Sequence, residues 1–264
     1  MTPPELPDEL GEAASVIVTG AAQGLGLSIA EEFLREGYRV ALADRNEQEL
    51  GRATRSLRDR YGDRRVTAVP ADVTDDSSVD GLLAAVVDWS GGLDVLVNSA
   101  GVISRGPSEQ LSSESWSRDL DVNLGGSFRC ARAAFPHLRR SPYPSVVNIG
   151  SIGSFLGMPM RASYNASKSG VLGLTRTLAA EWGHLGIRVN AIAPGFIDTS
   201  LMRSGLATGA LDEQLMLRRI PMRRLGQAGE IAGVALFLAW SRASYVNGAT
   251  VPVDGGTTVD GTYS

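Results

Sequence analysis

The run from Ser15 to Asp44 constrains the fold most. SVIVT is a short β-branched stretch, a glycine-rich turn follows it, and Leu25, Ile29, Phe33 and Leu34 then recur at helical spacing until Gly37. YRVALAD is a second strand-like run. Strand, tight turn, helix and strand make a βαβ unit, which joins parallel strands by a right-handed crossover. The pattern continues: RVTAVPADV, LDVLVNSAG, SVVNIGS, RVNAIAPG and VPVDGG are strand-like, and helix-length segments separate them. Such alternation predicts an α/β fold, a doubly wound parallel sheet of the Rossmann type with helices on both faces. A chain of 264 residues fits one such domain, expected over 14–264, with the acidic, proline-rich residues 1–13 as a mobile tail.

Composition narrows the function classes. A net charge of −4 gives no electrostatic ground for a nucleic-acid partner. Cys130 is the only cysteine, so no internal disulfide framework exists, and its place in a helical pattern suits a small buried residue in a reducing compartment. No stretch of about 18 uncharged apolar residues is present, and the first residues are unlike a signal peptide. A soluble cytoplasmic protein without a membrane partner is expected. No Cys/His or paired-carboxylate cluster has metal-ligand spacing, so no metal site is expected.

Ligands of doubly wound sheets bind beyond the carboxyl ends of the strands. There Thr19, Gly20, Gly24 and Gly26 write TGxxxGxG directly after the first strand. Glycine permits the tight turn and lets backbone N–H groups approach a pyrophosphate at the positive end of the next helix. Asp44 ends the second strand, where a carboxylate can accept from the adenosine ribose hydroxyls of NAD. A 2′-phosphate there would meet a like charge at a cost of several kcal/mol. Arg45 pulls the other way, because an arginine at this point can accommodate that phosphate. The turn itself offers only Ala21, Ala22 and Gln23, and NAD is the expected cofactor.

The stretch NIGSIGSFLGMPMRASYNASK holds the candidate chemistry. Tyr164 and Lys168 are four apart, on one face of a helix. A phenol titrates near pH 10, so proton exchange near pH 7 needs about 4 kcal/mol of help. An ammonium about 4 Å away at an effective dielectric near 20 supplies roughly that much. Lys168 is the only lysine among 25 basic residues, and its compact charge suits a tight site better than a guanidinium fork does.

With TGxxxGxG, NSAG, Asn123, Ser151, YxxxK and PGFIDT in order, the chain resembles the short-chain dehydrogenase/reductase family over nearly its whole length. Ser151 stands thirteen residues before Tyr164, the family's spacing. The resemblance implies a catalytic set of Asn123, Ser151, Tyr164 and Lys168. Tyr164 would be the acid/base, and Ser151 would hold the reacting oxygen. Lys168 would lower the pKa of Tyr164 and bind the nicotinamide ribose, and Asn123 would prop a water beside it. Cofactor contacts are implied at Thr19, Gly20, Gln23, Gly24, Leu25 and Gly26 in the turn, at Asp44 and Arg45, and at Asp72 and Val73. Further contacts fall at Asn98, Ala100 and Gly101, where Ser99 replaces the usual second Asn, and at Pro194, Gly195, Ile197 and Thr199.

In the family, residues 200–222 form a lid over the substrate; here their apolar Leu201, Met202, Leu206, Leu215 and Met216 suit either that lid or an ordinary packed helix. Phe155, Met158 and Phe196 would line the pocket, with Ser154 as a polar point. The implied activity is NAD-dependent interconversion of a secondary alcohol, such as a polyol or cyclic alcohol, and its ketone. A 3-oxoacyl-carrier-protein or other carbonyl reductase using NADPH is one alternative, and a non-catalytic NAD-binding sensor is another. A homotetramer is implied, assembled through long helices and the carboxyl-terminal region around the apolar run Glu230–Trp240.

Overall fold

The structure, a computed structural model, describes residues 14–199, 202–203, 205 and 212–261. The expected tail 1–13, and Leu201 and Leu206 of the expected lid, lie outside the described residues. The strands are β1 (Ser15–Thr19), β2 (Arg39–Asp44), β3 (Val66–Pro70), β4 (Val95–Asn98), β5 (Ser145–Ile149), β6 (Arg188–Pro194), β7 (Ile197–Asp198), β8 (Gly226–Gln227) and β9 (Thr250–Val253). The helices are α1 (Gly24–Arg35), α2 (Glu47–Tyr61), α3 (Asp76–Ser90), α4 (Ser113–Leu120), α5 (Gly126–Leu138), α6 (Ala162–Trp182), α7 (Glu213–Arg218) and α8 (Ala228–Ala239). Among the described residues, seven strands form one parallel sheet in the order β3-β2-β1-β4-β5-β6-β9.

The direction of winding reverses at β1. Val16 pairs with Val40 of β2 on one side and with Val95 of β4 on the other. A crevice opens at such a reversal, beyond the carboxyl ends of the strands. Side chains alternate along a strand, so Val16 and Val18 face one helical layer and Ile17 faces the other. The first layer is α1, α2 and α8, through Ile29, Phe33, Leu34, Leu50, Leu57, Ile231 and Leu238. The second is α3, α5 and α6, through Val79, Leu82, Val86, Ala134, Leu138 and Leu178. Each fully buried side chain of this size contributes about 1.5–3 kcal/mol. Cys130 belongs to the second layer with no exposed surface, and burial pushes its thiol up to about 12.

Three features depart from the strand and helix rhythm of the sequence. Between α4 and α5 the helical run continues through Asp121–Gly125 as a turn of π-helix that contains Asn123. β7 and β8 pair in parallel, Ile197 with Gly226 and Asp198 with Gln227, so the expected lid segment leaves and rejoins the fold at one tied base. Gly226 is needed there, because a Cβ would stand 2.6 Å from Ile197 Cδ1. On α7, Met216 is buried while Leu215 is exposed. Finally, the apolar run Glu230–Trp240 lies mostly on α8, whose Ile231, Ala232, Ala235 and Leu238 are buried within the chain's own core. Its hydrophobicity is thus largely satisfied without a partner. No described helix is long and apolar enough to cross a membrane.

Candidate active site

The turn after β1 is built by close approach. Thr19 Oγ1 accepts from Ser99 N (3.0 Å) and Ala100 N (3.1 Å), tying the ends of β1 and β4. Gly20 has φ +66°, and a Cβ on it would lie 2.8 Å from Ala100 Cα. A Cβ on Gly26 would collide with Gly20 O, so α1 can start against the turn only with glycine there. Gly24 differs: its φ is +60°, but a Cβ would project into open space. The first turn of α1 holds no acidic residue, and Gln23 makes no side-chain cap. Its leading N–H groups and the positive end of the helix dipole therefore fit an anion such as a pyrophosphate.

Asp44 lies across this turn. Its Oδ2 accepts from Ala22 N (3.2 Å) and its Oδ1 from Asn46 N (3.0 Å), which orients the carboxylate at the lip of the crevice. Arg45 is exposed beside it. Asp72 Oδ1 accepts from Thr74 N (2.9 Å) and Thr74 Oγ1 (2.7 Å). These two bonds, against a contrary effect of burial and with help from the charges of Arg45 and Arg129, hold the Asp72 carboxyl below its usual range. Arg45 thus acts on a carboxylate already present.

Several expected cofactor contacts have side chains committed elsewhere. Val73 is buried and packs against Gly126, and Ile197 is buried in the first core layer, so only their main chains remain for a ligand. Asn98 Nδ2 donates inward to Asn148 Oδ1 (2.9 Å), and Asn148 Nδ2 donates on to Thr175 Oγ1 (3.0 Å). Leu25 is partly buried against the core. Gly195 N donates to Val253 O (2.9 Å), which fixes the turn after Pro194. Thr199 Oγ1 accepts from Met202 N (3.2 Å) at the start of the lid segment.

Ser151, Tyr164 and Lys168 meet beyond β5. Ser151, 7% exposed, caps the short 3-10 turn Ile152–Ser154 by accepting from Gly153 N (3.0 Å). Its hydroxyl is within hydrogen-bonding reach of the Tyr164 phenol. Lys168, 5% exposed, donates through Nζ to Ile149 O (2.7 Å), and Nζ lies 5.9 Å from the Tyr164 ring centroid. Burial lowers Lys168 to about 8.

The expectation that Lys168 brings the Tyr164 phenol down is corrected. Burial pushes the phenol up, and the Ser151 hydrogen bond with the charges of Arg161 and Arg105 only partly offsets it. The ammonium donates to the β5 carbonyl of Ile149, and Lys168 is not among the groups that bring the phenol down. The Asn123 side chain is committed within the protein. Asn123 has no exposed surface; its Oδ1 accepts from Val102 N (2.8 Å), and its Nδ2 donates to Val102 O (3.0 Å) and Ser167 Oγ (2.9 Å). Its side chain clamps the segment after β4 to α6. Gly101 sits between the two groups: a Cβ there would lie 3.2 Å from Asn123 Oδ1 and 3.4 Å from Lys168 Nζ.

The expected pocket residues separate. Phe155 is half exposed beside Ser154, whose Oγ is buried without a hydrogen-bond partner among the described residues. Met158 O accepts from Asn165 Nδ2 (3.4 Å), which ties that loop to α6. Phe196 lines a groove with Met222, Arg224 and residues 252–256, beside the paired β7 and β8. Sequence reasoning missed Arg105 and Arg161, whose charges reach Tyr164. Arg161 was visible three residues before Tyr164, but Arg105 carried no signal of its own.

A family model described as enoyl-(acyl carrier protein) reductase matches residues 20–258. The chain is 38% identical over 245 residues to a 2-(R)-hydroxypropyl-CoM dehydrogenase of Xanthobacter autotrophicus, covering 92% of this chain and 97% of that one. It is 37% identical over 246 residues to a 3-oxoacyl-(acyl-carrier-protein) reductase of Staphylococcus aureus, with the same two coverages. The crystal structure of levodione reductase superposes with a TM-score of 0.89 at 32% identity, covering 94% of this chain and 98% of that one. With the glycine turn, the parallel sheet and the Ser151–Tyr164–Lys168 group in place, the chain belongs to the short-chain dehydrogenase/reductase family and is an oxidoreductase acting on CH–OH groups.

Proposed function

We propose that the protein interconverts a secondary alcohol and its ketone with NAD(H). The observation that carries the reaction is the meeting of Ser151, just beyond β5, with Tyr164 and Lys168 on α6, which Lys168 Nζ ties to Ile149 O (2.7 Å) at the carboxyl end of that strand. The nicotinamide cofactor supplies the hydride chemistry. Tyr164 takes the proton from the alcohol oxygen or returns it to the carbonyl oxygen. Ser151 donates to the same oxygen and stabilises the negative charge that develops there. Lys168 holds ribose hydroxyls with its ammonium, and Asn123 keeps the segment after β4 in register with α6. Thr19, Gly20, Gln23, Gly24, Leu25 and Gly26 form the pyrophosphate cradle. Asp72, Val73, Asn98, Ala100, Gly101, Pro194, Gly195, Ile197 and Thr199 wall the crevice, Val73 and Ile197 through their main chains. The segment 200–222 serves as a lid, with Phe155 beside the substrate.

Asp44 supports NAD over NADP. Its carboxylate, held by Ala22 N and Asn46 N at the end of β2, would accept from ribose hydroxyls and repel a 2′-phosphate. Likeness to the Staphylococcus aureus 3-oxoacyl-(acyl-carrier-protein) reductase favours a second reading, a 3-oxoacyl reductase using NADPH. Calorimetric titration of NAD and NADP into the wild type and Asp44→Ala, followed by turnover of secondary alcohols and 3-oxoacyl thioesters, separates the two. NAD preference that falls by about tenfold or more in the variant supports the first. NADP preference in the wild type selects the second.

A homotetramer in the cytoplasm belongs to the same reading. Trp116 and Phe128, 41% and 43% exposed, flank a groove with Leu120, Leu124 and Leu174 along α4, α5 and α6. A mass of four chains by light scattering supports the assembly, and a stable monomer at micromolar concentration rejects it.

A further inference from the structure

Arg105 and Arg161 stand on separate segments that the fold ties together beside Tyr164. Gly106 N donates to Met160 O (3.0 Å), joining the residue after Arg105 to the residue before Arg161. Met160 adopts φ +66°, a left-handed backbone uncommon for a side chain of its size and a mark of local constraint. The second tie is Asp119, which has no exposed surface. Its carboxylate accepts from Ser104 N (2.8 Å), Ser104 Oγ (2.8 Å) and Ser163 Oγ (2.6 Å). Ser104 precedes Arg105, and Ser163 lies between Arg161 and Tyr164.

Holding two cations together is unfavourable without a counter-charge. Burial, and then the nearby charge of Arg105, lowers the Arg161 guanidinium from its usual value. Among the described residues neither guanidinium forms an ion pair, whereas Arg35, Arg129, Arg203 and Arg224 each have a carboxylate. Arg161 is half-buried and Arg105 is exposed. Arg161 also occupies the N-cap of α6, whose first turn has no acidic residue and no side-chain cap, so the helix dipole adds to the same positive field.

We infer that the substrate carries, beside its reacting carbinol or carbonyl, an anionic group such as a carboxylate, sulfonate or phosphate, and that Arg105 and Arg161 bind it while Ser151 and Tyr164 hold the reacting oxygen. This rests on the oxidoreductase reading of the site. Asp119, Ser104 and Ser163 are positioning residues for the pair.

The test pairs anions with neutral partners: 3-hydroxybutyrate with its methyl ester, and 2-hydroxypropanesulfonate with its sulfonamide. A 3-oxobutyryl pantetheine thioester with its 4′-phosphorylated form separates a carrier-borne phosphate from a small free anion. kcat/KM is measured on the full chain with its preferred dinucleotide, and butyrate, propanesulfonate and propyl phosphate are titrated by calorimetry into the dinucleotide-loaded protein. At least one anion is expected to exceed its neutral partner by about tenfold or more, and that advantage to fall about tenfold in Arg161→Met and in Arg105→Met. Arg161→Lys recovers part of it, since charge survives without the bidentate fork. Neutral alcohols turned over as well as every anion, with no arginine-dependent anion binding, would overturn the inference and leave the oxidoreductase reading intact. Anion binding lost in Arg161→Met without turnover of any alcohol would uphold the anion site and reject that reading. Neither turnover nor binding rejects both.

Discussion

The hydroxyl of Ser163, the residue before Tyr164, donates to the buried carboxylate of Asp119 across 2.6 Å. Through Ser104 the same carboxylate reaches the segment after β4. Burial pushes the Asp119 carboxyl up, yet the bonds from Ser163 and Ser104 with the charge of Arg118 outweigh it and hold the group below its usual range. Asp119→Ala strands these donors and is expected to cost about 3 kcal/mol by chemical denaturation. Turnover should fall while dinucleotide affinity changes little, because the glycine turn is built from β1, α1 and β4. Since the folded pKa is depressed, the stabilising effect is present above the unfolded value and is lost as pH falls through the folded one. The stability gap between wild type and variant should therefore close on acidification below about pH 4.

Tyr164→Phe should keep dinucleotide affinity and lose about 10²-fold to 10⁴-fold in turnover. With the phenol pushed up by burial, the protonated form that reduces a ketone persists at neutral pH. Alcohol oxidation needs the phenolate, so its kcat/KM should climb through the alkaline range as ketone reduction declines. A flat oxidation profile from pH 7 to about pH 10 would contradict the assignment.

Lys168 gives a stability slope of the same sign as Asp119 but at alkaline pH, because here burial disfavours the charged form. Burial lowers it from its usual 10.5 to about 8. Between those values the unfolded chain binds the extra proton, so stability rises with pH in that window. The unfolding free energy of the wild type, relative to Lys168→Met, should climb by up to about 3 kcal/mol from pH 8 to 10.5. A constant difference would mean that the ammonium is well solvated.

Gly26→Ala places a Cβ against Gly20 O, where both partners are backbone and neither can yield without moving α1. It should cost about 3 kcal/mol or more and weaken dinucleotide binding. Gly24→Ala has open space for its Cβ and pays only for its left-handed backbone, about 1 kcal/mol. Thermal unfolding of the two variants side by side distinguishes packing from conformational strain.

The order of strands and helices, the glycine turn after β1, Asp44 at the end of β2 and the Tyr164–Lys168 face of α6 could all be read from the sequence. Each depends on neighbours a few residues apart, where backbone periodicity and side-chain chemistry act locally. Asp44 at the lip of the crevice follows directly from its place at a strand end. Side-chain direction was a different matter: Asn98, Val73 and Ile197 lie where motif positions expect a ligand, yet each side chain turns into the protein because buried partners wait on that side. The π turn that carries Asn123 likewise left no periodic trace.

The sequence by itself determined the layered architecture, the carboxyl-end location of the site and the identity of the groups that meet there, since these follow from pattern and spacing along the chain. Only the tertiary structure decided the protonation balance of Tyr164 and Lys168, because burial is a sum over atoms from many segments. It alone also brought Arg105 beside Arg161, through a buried aspartate and a strained methionine remote from Arg105 in sequence, because electrostatic fields add in space and not along the chain.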